Sequence, residues 1–169
     1  PVLRPSVVFG PEDDFFNRFA RMAQLAPAIP LVGGGRTRFQ PVYVGDVAEA
    51  VLRALDAPAA SGRILELGGP RVMSFRDVVG YVLEQTGRRP ALVDLPFGVA
   101  MALAAILEKL PAPQLTRDQV RLLRRDNVVA EGAPGLRELG IEPTPVEAIV
   151  PAYLEIYRRG GRFAAGRAA

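Results

Sequence analysis

The run from Leu3 to Phe9 constrains the fold of this chain more than any other segment. Its β-branched and apolar residues occupy both faces rather than alternating ones. Such a strand suits a buried parallel sheet, which needs helices on either side. The chain then supplies them. Gly10-Pro11 stops the strand. Asp13 or Asp14 caps a helix whose Phe15, Phe16, Phe19, Met22 and Leu25 recur at helical spacing, and Pro27 and Pro30 close it. Short strands follow at Ile29–Val32 and Phe39–Val44, flanking Gly33-Gly34-Gly35-Arg36-Thr37-Arg38, which reads as a hairpin turn. Asp46 caps the next helix, with Val47, Ala50, Val51, Ala54 and Leu55 facing inward.

The second half turns helical. Arg63–Leu67 is a strand ended by Gly68-Gly69-Pro70. Ser74 and Asp77 form a capping box for a helix carrying Phe75, Val78, Val79, Val82 and Leu83, which Gly87 ends. Ala91–Leu95 is a strand, and Phe97–Leu110 a helix that is apolar almost all round. That helix is either buried in its own core, the favoured reading, or a surface that meets a membrane or a partner. Thr116 and Gln119 open a helix through Arg125. Thr144, Pro145 and Glu147 mark the clearest helix start, ahead of the stripe Val146, Ile149, Val150, Tyr153, Leu154 and Tyr157. The expected class is α/β, a doubly wound sheet with an appended, mostly helical lobe.

Composition excludes much chemistry. The 169 residues contain no Cys and no His, so the chain holds no disulfide, thiolate nucleophile, Cys/His zinc site or histidine-based triad. Glu12-Asp13-Asp14, the one acidic cluster, reads as a helix start rather than a metal site. The glycine triplet fits neither G-x-G-x-x-G nor a P-loop. None of Tyr43, Tyr81, Tyr153 and Tyr157 has Lys four residues on, because Lys109 is the only lysine. A tyrosine acid tuned by that neighbour is therefore absent, and Tyr153 and Tyr157 read as packing residues. Arg158, Arg159, Arg162 and Arg167 form a basic, frayed tail over 160–169, and no aromatic-interleaved basic stripe points to nucleic acid. The apolar run Pro96–Leu107 falls short of the roughly 20 residues that span a bilayer.

Leu3-Arg4-Pro5-Ser6-Val7-Val8-Phe9-Gly10-Pro11, followed by Arg38-Phe39-Gln40-Pro41-Val42-Tyr43-Val44-Gly45-Asp46-Val47-Ala48-Glu49-Ala50, resembles the C-terminal half of extended and atypical short-chain dehydrogenases. Leu65-Glu66-Leu67-Gly68-Gly69-Pro70 resembles the segment before that family's next helix. Leu110 to Val120, Asp126-Asn127-Val128-Val129 and Leu139 to Pro145 are similar to one atypical branch, which includes the short-chain-dehydrogenase-like accessory subunit of respiratory complex I and its bacterial relatives.

The resemblance implies a Rossmann-like domain binding NADP or NAD, with the glycine-rich loop and the Tyr-x-x-x-Lys dyad in a missing N-terminal half. It divides the chain into 1–58, the end of the Rossmann-like domain; 59–159, a substrate or partner lobe; and the tail. It implies that Pro5, Ser6, Val7 and Val8 approach the nicotinamide carboxamide. Val7 stands where many sugar-nucleotide enzymes carry Asn. It places Asn17, Arg38 and Gln40 near the substrate cleft. Asn17 reads equally as a solvent-facing helix residue and Arg38 as a hairpin charge. The functional expectation is a complex I accessory-type protein that binds its cofactor structurally, with complex I subunits or a membrane surface as partners. Its expected location is cytoplasmic, peripheral to the inner membrane. The alternative is an NADPH-dependent reductase, or an epimerase or dehydratase, acting on a nucleotide-linked or isoprenoid-like substrate.

Overall fold

The computed structural model describes residues 1–109 and 115–161. Strands and helices intermix up to β8 and helices close the chain: β1 (Val2–Pro5), β2 (Val8–Phe9), α1 (Phe16–Leu25), β3 (Ala28–Val32), β4 (Arg38–Phe39), β5 (Val42–Tyr43), α2 (Val44–Asp56), β6 (Ile64–Leu67), β7 (Met73–Ser74), α3 (Phe75–Thr86), β8 (Ala91–Leu95), α4 (Phe97–Leu107), α5 (Arg117–Leu122) and α6 (Val146–Leu154). β1 pairs with β6, β2 with β5 and β3 with β8, all parallel; β4 and β7 pair antiparallel. Parallel partners need long crossovers, and these place helices on the strand faces. The α/β reading holds.

Apolar spacing explains the core. Phe16 and Ala20 of α1 pack with Phe9, with Val78 and Val82 of α3, and with Val146, Val150 and Leu154 of α6. Phe15, Phe19, Phe39 and Phe75 form an aromatic cluster beside it, the Phe19 and Phe75 rings 5.1 Å apart. Leu65 and Leu67 of β6, with Leu3 of β1, pack on Ala50 and Ala54 of α2. Val32, Ala100, Ala104 and Val120 seat α4 and α5 on the β3 side.

Several expectations fail for identifiable reasons. Leu3–Phe9 is two strands, because the chain changes partner after Pro5. β1 is covered on one face only, leaving Val2 and, across on β6, Ile64 exposed. The expected strand Phe39–Val44 breaks at Gln40-Pro41, and α2 begins at Val44. Asp46 does not cap α2. It is buried in the first turn, where it accepts bonds from the Thr144 N–H (2.7 Å) and hydroxyl (2.8 Å). Thr144 is thus engaged, and Glu147 pairs with Arg71 at 2.8 Å, so their capping box does not form although α6 starts at Val146.

The boxes at Ser74–Asp77 and Thr116–Gln119 do form, but α5 stops at Leu122 rather than Arg125. Gly33–Gly35 is not a hairpin, since β3 joins β8 while β4 joins β7. It is a tight corner with φ of 63°, 71° and 69°, and a Cβ on Gly33 would stand 2.4 Å from the Phe97 ring. α4 is not self-buried: only Ala100 and Ala104 along it are buried, and Val99, Leu103 and Ile106 are 49%, 42% and 68% exposed. Leu110 of the expected helix and the tail from Arg162 lie outside the described residues.

Candidate functional site

Ligands of open parallel sheets bind beyond the carboxyl ends of the strands. Here β1 ends at Pro5 and β6 at Leu67. The Ser6 N–H continues the ladder to the Leu67 carbonyl (2.9 Å). The β6 side then turns away through Gly68-Gly69. A Cβ on Gly69 would sit 1.9 Å from the Pro41 carbonyl oxygen, so only glycine allows this approach.

Across these ends runs residues 126–134, stitched down by hydrogen bonds. The Ser6 hydroxyl donates to the Asn127 carbonyl (2.6 Å), as does the Gln40 N–H (3.1 Å). The Val129 N–H donates to Gln40 Oε1 (3.0 Å) and the Ala130 N–H to Glu66 Oε2 (2.8 Å). The Glu66 N–H donates to the Pro134 carbonyl (2.8 Å).

The strap borders two neighbouring clefts that share Glu66 and Val129. The smaller, of about 170 Å³, is lined by Arg4, Pro5, Ser6, Glu66, Asn127, Val128 and Val129. The larger, of about 310 Å³, is walled by Gln40, Glu66, Gly68, Gly69, the 133–138 turn and Pro143. In that turn the Gly135 N–H holds the Glu138 carboxyl below its ordinary range, so an anion is kept at the wall.

The expected site residues fall as follows. Pro5 and Ser6 line the smaller cleft. Val7 and Val8 are half-buried, Val7 against the aromatic cluster and Val8 against the β6–α2 core. Gln40 lines the larger cleft with both ends of its amide engaged: Nε2 donates to the Gly69 carbonyl at 2.8 Å, and Oε1 accepts from the Val129 N–H. Arg38 lines neither cleft. Its N–H and Nε both donate to Asp126 at 2.8 Å, and these bonds, the backbone one first, hold that carboxyl below its usual range.

Asn17 is neither solvent-facing nor at these clefts. It is buried, and Nδ2 donates to the Pro11 (3.1 Å) and Asp13 (3.0 Å) carbonyls. Asp13 accepts from the Phe15 (2.9 Å) and Asn17 (3.1 Å) N–H groups and from the Tyr153 hydroxyl (2.5 Å). Burial first, and this bond second, push the Tyr153 phenol far above its ordinary range. Tyr153 therefore ties α6 to the entry of α1 as well as packing.

Sequence reasoning did not assign Glu66, Asn127 or Val129 to the site. The sequence signal for Glu66 is a polar residue between Leu65 and Leu67 on a strand, and for Asp126–Val129 it is a motif without an assigned place. Among the described residues no group of three or more carboxylates gathers as a metal centre would need.

Comparison with known proteins agrees with this architecture. Residues 2–68 match the NAD dependent epimerase/dehydratase family. UDP-glucose 4-epimerase from Thermotoga maritima, solved with UDP-glucose, shares the fold at a TM-score of 0.61 and 20% identity, over 92% of this chain and 45% of that one. The dTDP-glucose 4,6-dehydratase DesIV from Streptomyces venezuelae, solved with NAD bound, gives 0.58 at 18% identity, over 92% and 42%. The family match thus lies in residues 2–68, and the fold is the one these two enzymes share.

The chain is also similar to proteins named as NADH dehydrogenase (ubiquinone) subunits. It is 35% identical over 95% of its length to NADH dehydrogenase (ubiquinone) 1 alpha subcomplex subunit 9, mitochondrial, of Arabidopsis thaliana, of which it covers 42%. The protein of the same name from Mus musculus is 34% identical, over 94% of this chain and 41% of that one. The chain therefore spans about two fifths of the length of these relatives.

Proposed function

We propose that this chain is the part of an NAD(P)-binding, complex I accessory-type protein that closes the nicotinamide end of the cofactor site and carries its partner-facing lobe. The 35% identity across nearly the whole chain to a complex I subunit carries the reading. The smaller cleft supports it, because Pro5 and Ser6 line it at the carboxyl ends of parallel strands. At about 170 Å³ that cleft accepts a ring and its amide, not a whole dinucleotide. No glycine-rich phosphate loop is present in these 169 residues. The phosphates and adenosine must therefore meet residues of the complete polypeptide.

In this reading residues 1–58 belong to the cofactor side and 59–159 to the partner lobe. NADP or NAD, when bound, would bring hydride chemistry. The residues here hold the ring end and brace the strap, with Gln40 spending its amide on that brace. The bound cofactor then acts as a structural core, and the protein works beside complex I subunits at the periphery of the inner membrane.

The test is a titration of the full-length protein with NADPH and with NADH, followed by thermal unfolding and by a reductase assay. A ligand that binds only the native state at 100 times its Kd adds about 2.7 kcal/mol, a shift of several degrees, and the reading expects that shift without turnover. An unshifted melting curve at saturating cofactor removes the dinucleotide. Sustained turnover moves the assignment to a reductase.

A further inference from the structure

α4 contains only apolar residues and Gly98, from Phe97 to Leu107, yet the fold buries just one edge of it. Ala100 and Ala104 rest on Val32 and Val120. Val99, Ala102, Leu103 and Ile106 lie on the opposite side and face outward together. Leu122, at the end of the neighbouring α5, is 73% exposed. A helix face bathed in water ordinarily carries polar residues, so this stripe has an occupant that the described residues do not supply.

The charges around the stripe say which occupant. Arg124 lies over the Phe97 ring at the start of α4, 5.5 Å from its centroid, and Lys109 follows the helix end. The acidic side chains nearby are neutralised: Glu108 pairs with Arg117, Asp118 with Arg121, and Asp94 with Arg76. Among the described residues Lys109, Arg124 and Arg125 form no ion pair. An apolar stripe between surplus cations matches an anionic bilayer surface, with aliphatic groups at the acyl boundary and cations at the headgroups. The helix is about 16 Å long against a hydrocarbon core of about 30 Å, so it lies in the interface and does not cross it.

The geometry points to the outer face of α4, with Arg124 at its start, next to Arg125 in sequence, and Lys109 past its end, as the surface that docks this protein on anionic lipid. This inference rests on the peripheral location proposed above and specifies how it is achieved. It is independent of cofactor binding.

The experiment is flotation of the full-length protein with phosphatidylcholine vesicles, plain or carrying roughly 30 mol% phosphatidylglycerol. The parent is expected on the anionic vesicles and, at moderate salt, not on the neutral ones. The double variant Leu103→Gln, Ile106→Gln should lower the partition coefficient about tenfold or more, since each lost aliphatic contact is worth close to that factor when fully buried. Arg124→Gln with Arg125→Gln should weaken binding and flatten its salt dependence. Leu25→Gln, on α1 at a residue 87% exposed, should change nothing.

Vesicle binding that survives the α4 substitutions leaves peripheral location standing and removes this surface. Failure of the parent to bind at all removes both. A dimer in gel filtration that the α4 pair dissolves gives the face to a second copy and overturns the lipid assignment. The substituted side chains are exposed, so an unchanged melting temperature confirms that the variants are folded.

Discussion

Gln40 offers the sharpest separation of bracing from ligand contact. Its amide donates to the Gly69 carbonyl at 2.8 Å and accepts from the Val129 N–H at 3.0 Å, joining the loop after β6 to the strap. Gln40→Ala removes both bonds and leaves two backbone groups without partners. A buried group so stranded costs about 1–3 kcal/mol, and the open cleft lets water recover part of it. The expected loss is about 2–3 kcal/mol, a large share of a typical domain's stability.

Urea unfolding at pH 7 should show the midpoint falling by about 1 M with the slope unchanged, given an m value of about 2 kcal/mol/M. Gln40→Glu keeps the acceptor for Val129 but sets a carboxylate against the Gly69 carbonyl. Its loss should also be substantial, and should lessen as the pH falls and the carboxyl protonates to regain a donor. If Gln40→Ala unfolds within about 0.5 kcal/mol of the parent, the brace is not a stabilising contact and the reasoning fails.

Asp46→Ala should cost about 2–4 kcal/mol, because it strands the Thr144 N–H and hydroxyl at a buried site; a double-mutant cycle with Thr144→Val should show coupling, and strict additivity would contradict the bonds seen. Gly69→Ala should prevent stable folding or lower the melting temperature sharply, whereas Gly80→Ala, in an exposed turn of α3 with open space around it, should stabilise by about 0.5–1 kcal/mol; equal effects at the two glycines would refute the close approach to Pro41. Ser74→Ala should cost about 1 kcal/mol at pH 7. The Ser74 side chain and N–H hold the Asp77 carboxyl below its ordinary 3.8, so their contribution is present above that value and fades as the pH falls through the lower folded-state value; a parent–variant gap that stays constant from pH 7 to pH 2 would count against this.

The sequence reads well where the signal is local. The Ser74–Asp77 and Thr116–Gln119 boxes form because each needs only its own turn. Helical spacing located α1, α2, α3 and α6 for the same reason. The failures lie where a distant partner intervenes. Thr144 had the look of a cap, but its hydroxyl goes to Asp46, 98 positions away. The glycine triplet had the look of a hairpin, but β3 and β4 leave for β8 and β7. In the site, Pro5 and Ser6 line the smaller cleft and Gln40 the larger. Asn17 is spent on the Pro11–Asp13 turn instead, and Glu66 and Asn127 enter the site only because the strap folds over β6. Neither fact is encoded in neighbouring residues.

Hydrogen–deuterium exchange of the full-length protein with and without NADPH tests the central claim most directly. Cofactor should slow exchange at Ser6 and along 127–129, the backbone that borders the smaller cleft, and leave the exposed α4 face unchanged. Tight binding with no added protection at those residues would contradict the placement of the nicotinamide end against this chain.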